Sequence, residues 1–354
     1  MENIRTGLTF DDVLLEPRYS EVDITKVDLK TRVSKNVSLD IPIISAAMDT
    51  ITGSAMAIAL GKAGGLGVLH RNNTIEEQVA ELKEVKKEKL KTGAAVGPHD
   101  IERAQALNEA GVDVLFVDCA TAHKEDVIAS VKKIKDSVKA DVVVGNIATA
   151  VAAEDLIELA DGLKVGIGPG SICTTRVVSG VGVPQLTAVM DVVSVAAKKG
   201  IPVIADGGIK YSGDMVKALA AGASVVMLGS MFSGTKESPG EVIIVKGEKC
   251  KIYRGMGSLG AMQVGKSSDR YFQKGTKKYV PEGVEGMVLY KGKTKEIIYQ
   301  MIGGLCSGMG YIGAHNIAEM PKQAQFVKIT KAGRDESHPH SLSSHEDAPN
   351  YGKK

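Results

Sequence analysis

The chain has 354 residues, 44% of them hydrophobic and 24% charged, enough for a soluble globular protein to bury a full core without disulfides or metal. Its 44 basic residues against 42 acidic ones give a net charge of +2, and 4% aromatics with no Trp argue against a nucleic-acid groove or stacking platform. No apolar run approaches the ~18 residues of a membrane span and the N-terminus starts no signal peptide; four widely spaced cysteines (119, 173, 250 and 306) predict reduced thiols in a cytoplasmic protein.

Length alone suggests about two domains or one α/β barrel. Short apolar runs recur along the chain at 41–48 (IPIISAAM), 65–70 (GLGVLH), 92–97 (TGAAVG), 112–118 (VDVLFVD), 141–147 (DVVVGNI), 163–168 (LKVGIG), 202–208 (PVIADGG) and 224–230 (SVVMLGS). Near-continuous apolar runs of this length predict strands buried on both faces, as in a parallel sheet. Between them lie segments of helical period. Residues 74–88 place Ile75, Val79, Leu82 and Val85 on one face, with Thr74 and Glu77 forming a capping box. Residues 124–138, 150–160, 184–199 and 213–221 read the same way. Eight strands with intervening helices predict a (β/α)8 TIM barrel over one domain, 1–354; a doubly wound open sheet is the alternative.

The regularity breaks after Ser230. Residues 231–290 hold a hairpin at 241–253, then glycines at 255, 257, 260, 265, 275, 283 and 286 with no period. A long unpatterned segment following strand eight reads as a mobile active-site flap at about 255–290, or as a disordered insertion. The tail from Arg334 is polar and carries His338, His340 and His345 without the Cys or carboxylate spacing of a metal cluster.

The sixth run continues Gly166-Ile-Gly-Pro-Gly-Ser-Ile-Cys-Thr-Thr-Arg176. Gly168 and Gly170 allow a tight turn that places Cys173 in the layer where barrel active sites form. A thiolate there would be stabilised by backbone amides and by Arg176; the alternative is an inert buried Cys. Cys250 and Cys306 read as space-filling, and Cys119 as close to the site without a chemical role. Runs seven and eight end in Asp206-Gly207-Gly208 and Gly229-Ser230, loops suited to a phosphate, with Asp206 suited to a ribose diol. No strand end carries the Lys that barrel isomerases and lyases often use. The residues thus predict a phosphorylated ligand beside a reactive Cys under a lid.

GIGPGSICTTR, DGGI, GSMF, YRGMGSLGAM and SSDRYFQ, with LTFDDVLLEP at the start and ESHPH and APNY near the end, together resemble the bacterial-type inosine-5′-monophosphate (IMP) dehydrogenase family over essentially the whole chain. The resemblance implies NAD+-dependent oxidation of IMP to XMP in guanine nucleotide biosynthesis: Cys173 attacks the purine C2, hydride leaves to NAD+, and the covalent adduct is then hydrolysed. It implies that Arg270 and Tyr271 on the flap enter the vacated dinucleotide site, with Arg270 or a Thr175–Glu282 relay handling the proton. Ser171, Gly208, Gly229, Ser230 and Tyr253 would hold the IMP phosphate, Asp206 the ribose, and Met256, Gly257 and Glu282 the base. Asp118, Asn146, Gly166 and Gly168 would contact NAD. K+ would bind carbonyls of Gly168, Gly170 and Cys173, completed by Glu336, Ser337 and His338 of a neighbouring subunit in a homotetramer.

Two departures stand out. Cys119-Ala120-Thr121-Ala122-His123 replaces the family's Thr-Ala-His-Gly-His, which alters the adenosine half of the NAD site. The pair of CBS modules that most relatives insert between the second helix and third strand is missing at about 88–92, which implies loss of regulation through them. A GMP reductase shares the barrel and the Cys loop, but Asp269-Arg270-Tyr271 argues against it; a non-catalytic purine-nucleotide-binding barrel would not need an intact Cys and flap.

Overall fold

Strand order follows directly from the eight apolar runs. The computed structural model describes residues 4–264, 267–342 and 348–351; Gly265 and His345 lie outside them. The runs form β1 (Ile43–Ser45), β2 (Leu66–Leu69), β3 (Gly93–Val96), β4 (Val114–Asp118), β5 (Asp141–Ile147), β6 (Gly162–Val165), β7 (Val203–Asp206) and β8 (Val225–Leu228). They pair in parallel in sequence order, and β8 pairs with β1 to close the barrel. Closure rules out the doubly wound open sheet.

The apolar runs conceal an alternation. Leu115, Val117, Leu163, Val165, Val203 and Ala205 belong to the core between strands and helices. Val114, Phe116, Val143 and Ile204 fill the barrel interior with Val33 and Leu39, which flank and end the N-terminal hairpin Thr31–Arg32/Ser38–Leu39. Because side chains alternate with period two, Asp118 and Asp206 continue the interior rows of β4 and β7. Lys164 continues that of β6.

The surrounding helices are α1 (Ser54–Lys62), α2 (Ile75–Lys87), α3 (Ile101–Glu109), α4 (Glu125–Ser137), α5 (Ala150–Leu156), α6 (Gln185–Ala196), α7 (Ser212–Ala220) and α8 (Thr294–Ile312). The Thr74/Glu77 capping box forms as expected at the start of α2. On α4, Val127, Val131 and Ile134 are fully buried, each contributing roughly 1.5–3 kcal/mol of hydrophobic stabilisation. Among the described residues no helix is long and apolar enough to cross a membrane. The short strands Val13–Leu15 and Phe326–Lys328 pair antiparallel, tying the N-terminal segment to the chain after α8.

The segment after β8 is more ordered than its composition suggests. The expected hairpin forms as β9 (Ile243–Val245) and β10 (Glu248–Arg254), and β11 (Glu285–Leu289) joins β10 from beyond the glycine-rich stretch. A short helix, Leu259–Val264, and a 3₁₀ turn, Asp269–Tyr271, lie between them. This three-stranded finger is anchored to the barrel by Arg254, whose Nη2 lies 2.6 Å from Asp49 Oδ2.

Burial on α2, with Glu84 and Glu77 nearby, raises the Glu81 carboxyl to about 7. A carboxyl whose folded pKa is raised costs stability as pH climbs from the unfolded value toward the folded one, and the full cost is present above it. Glu81→Gln is therefore expected to raise Tm by a few degrees at pH 8, corresponding to about 1 kcal/mol after allowance for partial exposure, and to leave it unchanged near pH 4.5. Thermal unfolding at the two pH values checks this.

Candidate active site

Four strand ends build a charged cluster at the C-terminal mouth. Lys164 is 2% exposed, and its Nζ lies 2.9 Å from Asp118 Oδ1 and 2.8 Å from Asp206 Oδ2. It also bonds Asn146 Oδ1. Asn146 sits where the β5–β6 register shifts between Gly145 and Ile147, an irregularity of the kind that re-aims a side chain. Its Nδ2 donates to Gly166 O at 2.6 Å and to Asp206 Oδ2 at 3.0 Å. One ammonium thus joins two carboxylates and an amide, a buried arrangement that persists because each charge is paired and hydrogen-bonded.

Beyond β6 the chain turns through Gly166–Gly170 to Cys173, which is half-buried. Its Sγ lies 3.2 Å from Thr175 Oγ1 and 3.7 Å from the Glu282 carbonyl. The Cys loop pairs with the flap: Thr174 N donates to Glu282 O at 2.9 Å, and Val284 N to Ile172 O at 3.0 Å. Arg176 makes no hydrogen bond to the thiol, although the two groups interact electrostatically. Its Nε donates to Ile167 O at 3.0 Å and its Nη2 to Val183 O at 2.5 Å, so it braces the loop through backbone carbonyls. Cys119 is fully buried, and burial pushes its thiol up to about 12, which leaves it inert.

The Asp269–Tyr271 turn contributes Arg270 and Tyr271 to the cavity that Cys173 lines. Arg270 forms an ion pair with Asp118, and its carbonyl accepts from Ala120 N at 2.9 Å. Burial pulls its guanidinium below the ordinary value, while the neighbouring Tyr271 acts in the opposite direction. Tyr271 lies directly over Gly257, where any Cβ would come within 2.7 Å of its ring; burial raises its phenol above the ordinary value, and Arg270 pulls it back. The cavity beneath encloses about 140 Å³. Beside it, the Tyr253 hydroxyl lies 3.5 Å from Ser171 Oγ, and a Cβ at Gly229 would sit 3.5 Å from the same hydroxyl.

A half-buried thiol, a charged cluster and a docked flap now share one cavity at the barrel mouth, and sequence comparison supplies the lineage. The family model described as IMP dehydrogenase / GMP reductase domain matches residues 7–340. The chain belongs to this family. It is 48% identical to an inosine-5′-monophosphate dehydrogenase of Cryptosporidium parvum, covering 99% of both chains. It is 47% identical to the enzyme of that name from Borreliella burgdorferi, over 96% of this chain and 98% of the relative. With the Aquifex aeolicus relative the identity is 41% over 482 aligned positions, covering 99% and 98%; that relative therefore carries residues absent from this chain.

Cys173, Thr175, Arg270, Tyr271, Glu282, Asp206, Met256, Gly257, Tyr253, Asp118, Asn146, Gly166, Gly168 and Gly170 all line the cavity. Ser171, Gly208, Gly229 and Ser230 lie outside its wall: Ser171 and Gly229 flank the Tyr253 hydroxyl, and Gly208 packs near Pro169. No bond between the Glu282 carboxylate and the Thr175 hydroxyl forms among the described residues, and Glu282 meets the Cys loop through its backbone. Ser337 and His338 lie elsewhere, in a pocket with Tyr211 and Tyr351. His338 Nδ1 is 2.9 Å from Tyr351 Oη, and the helix Lys331–Glu336 precedes them.

Lys164 corrects the expectation that no strand end carries a lysine. The signal was a single cation inside an apolar run, on the interior face that Asp118 and Asp206 also occupy. Arg71 was also missed. It directly follows His70, the last residue of the second run, and pairs with Asp269 of the flap.

Proposed function

We propose that this protein is an NAD+-dependent IMP dehydrogenase that oxidises IMP to XMP, a step of guanine nucleotide synthesis, in the cytoplasm. The single observation that carries this reading is the Arg270–Tyr271 turn seated on Asp118 above the Cys173 thiol. A reductase forms no adduct that needs hydrolysis and has no use for that turn.

In this reading Cys173 Sγ attacks C2 of the purine, and the C2 hydride departs, leaving a thioimidate on the enzyme. NAD+, when bound, accepts that hydride. The Tyr253 hydroxyl, with Ser171, Gly208, Gly229 and Ser230, holds the phosphate, Asp206 binds the ribose diol, and Met256, Gly257 and Glu282 face the base. Asp118, Asn146, Gly166 and Gly168 contact the dinucleotide. Since Arg270 occupies Asp118 when the flap is closed, flap and dinucleotide exclude one another. After the reduced dinucleotide leaves, Arg270 and Tyr271 cover the adduct and orient water toward C2, which returns the thiol and releases XMP. The water proton passes through the Thr175 hydroxyl toward Glu282, or to Arg270 once that guanidinium has given up a proton of its own.

The Cys loop also fits a monovalent cation. Hard cations take backbone carbonyls, and the Gly170 carbonyl, although it accepts from Cys173 N at 3.1 Å, retains a second lone pair. Gly168, Gly170 and Cys173 would hold K+, with Glu336, Ser337 and His338 from a neighbouring subunit completing the shell in a homotetramer. The direct junction from α2 to β3 is where we place the missing CBS pair.

The test is NADH formation, followed by absorbance, with IMP, NAD+ and K+. NADPH consumption with GMP would instead make the protein a reductase, and silence in both assays a nucleotide-binding barrel. Arg270→Ala is expected to slow adduct hydrolysis roughly 100-fold while hydride transfer changes little; single-turnover kinetics separates the two steps, and equal slowing of both would remove its special role.

A further inference from the structure

The flap turn Asp269–Tyr271 meets the barrel mouth at an ion pair that the chemistry above does not use. Arg71 follows β2 and is 5% exposed. Its Nη1 lies 2.8 Å from Asp269 Oδ1 and 3.0 Å from Oδ2, and its Nη2 donates to the Asp118 carbonyl at 3.3 Å. Among the described residues Asp269 is its only carboxylate partner. Exposed ion pairs contribute little, whereas a buried cation that loses its one counter-charge is strongly disfavoured. The open flap would leave Arg71 in that position unless water or another anion replaced the carboxylate.

Gly97, just beyond β3, forms the floor of the pair. A Cβ there would come to 3.0 Å from Asp269 Oδ2 and 3.3 Å from Arg71 Nη1, so the absence of a side chain leaves room for both groups. At the rim, Lys124 Nζ lies 3.5 Å over the Phe272 ring, a favourable cation–π contact. The ends of β2, β3 and β4 are therefore shaped to receive one carboxylate from the flap, beside the strand-end Asp118 that pairs with Arg270.

Resting on the proposed reaction, we infer that Asp269 is a positioning residue: its ion pair with Arg71 sets how much of the enzyme has the flap closed. Closure brings Arg270 onto Asp118, so the pair decides how the covalent adduct divides between hydrolysis and rebinding of dinucleotide. Weakening it lowers the closed population and raises the apparent affinity of the adduct form for NAD+ by a corresponding factor.

The test uses Asp269→Asn in the full chain. In the ligand-free protein, amide hydrogen exchange of residues 267–273 is expected to quicken about tenfold, with the barrel strands unchanged. In turnover, NAD+ inhibition is expected at about tenfold lower NAD+, with hydrolysis slowed and the hydride-transfer burst altered less than about twofold. Gly97→Ala retains every charge and crowds the pair, so it should shift exchange and NAD+ inhibition in the same direction by a smaller factor. Unchanged exchange in Asp269→Asn, or equal slowing of both steps with unaltered NAD+ inhibition, would overturn the inference. Wild-type protein that makes no NADH from IMP would refute the proposed reaction instead, and the exchange comparison would still decide the role of the pair.

Discussion

Cys173→Ala is expected to lower turnover by roughly 10⁴-fold or more while IMP still binds, because the substitution removes the only atom able to form the adduct and leaves the walls of the cavity intact. The four cysteines differ in setting. Cys173 alone lines the cavity, with its Sγ 3.2 Å from Thr175 Oγ1. Cys119 is fully buried against the Thr121 and Gly145 carbonyls, its thiol pushed up to about 12 by that burial. Cys250 is buried on the finger and Cys306 lies on α8. Calorimetric titration of IMP into the variant, beside its initial rate, checks both parts of the expectation. Appreciable activity in the alanine variant would exclude the covalent route.

Lys164→Met should impair both fold and binding, by a different physical route. The ammonium is 2% exposed and serves Asp118, Asn146 and Asp206 together. Removing it leaves two carboxylates at the barrel mouth without their shared cation, an effect expected to destabilise the fold by about 3 kcal/mol. It also frees the residues we assign to the ribose and to the dinucleotide from a common anchor. KM for IMP and for NAD+ should both rise at least about tenfold, with kcat reduced as well. Denaturant unfolding and steady-state kinetics of the methionine variant test the two consequences separately. Lys164→Arg retains the charge and should recover most of the stability and part of the affinity.

The barrel was legible because each of its eight strands is an apolar run bounded by Gly, Asp or Asn. Reading those runs as continuous hid the alternation that matters most for the site. Leu163 and Val165 face the helices, and Lys164 between them faces the interior, so the same pattern that identified β6 obscured its charged member. Counting alternate positions from Phe116 to Asp118 and from Ile204 to Asp206 would have placed two carboxylates on the same interior face as that lysine.

The finger was half visible. Its hairpin has a local turn, whereas β11 pairs with β10 across the thirty intervening residues 255–284, and such a pairing leaves no periodic mark in a glycine-rich stretch. Arg71 and Asp269 are 198 positions apart, and neither lies in a segment whose composition signals contact. The tail sequence predicts that residues 336–338 serve a neighbouring subunit; within this chain His338 packs toward Tyr211 and Tyr351, and none of the three bonds to the Cys loop among the described residues.

The most direct measurement is mass spectrometry of the enzyme quenched in acid during steady-state turnover with IMP, NAD+ and K+. The expected result is a purine nucleotide bound covalently to the peptide containing Cys173, at a level that increases in Arg270→Ala because hydrolysis is the step that variant slows. NADH formation with Cys173 unmodified throughout, in wild type and Arg270→Ala alike, would contradict the covalent mechanism.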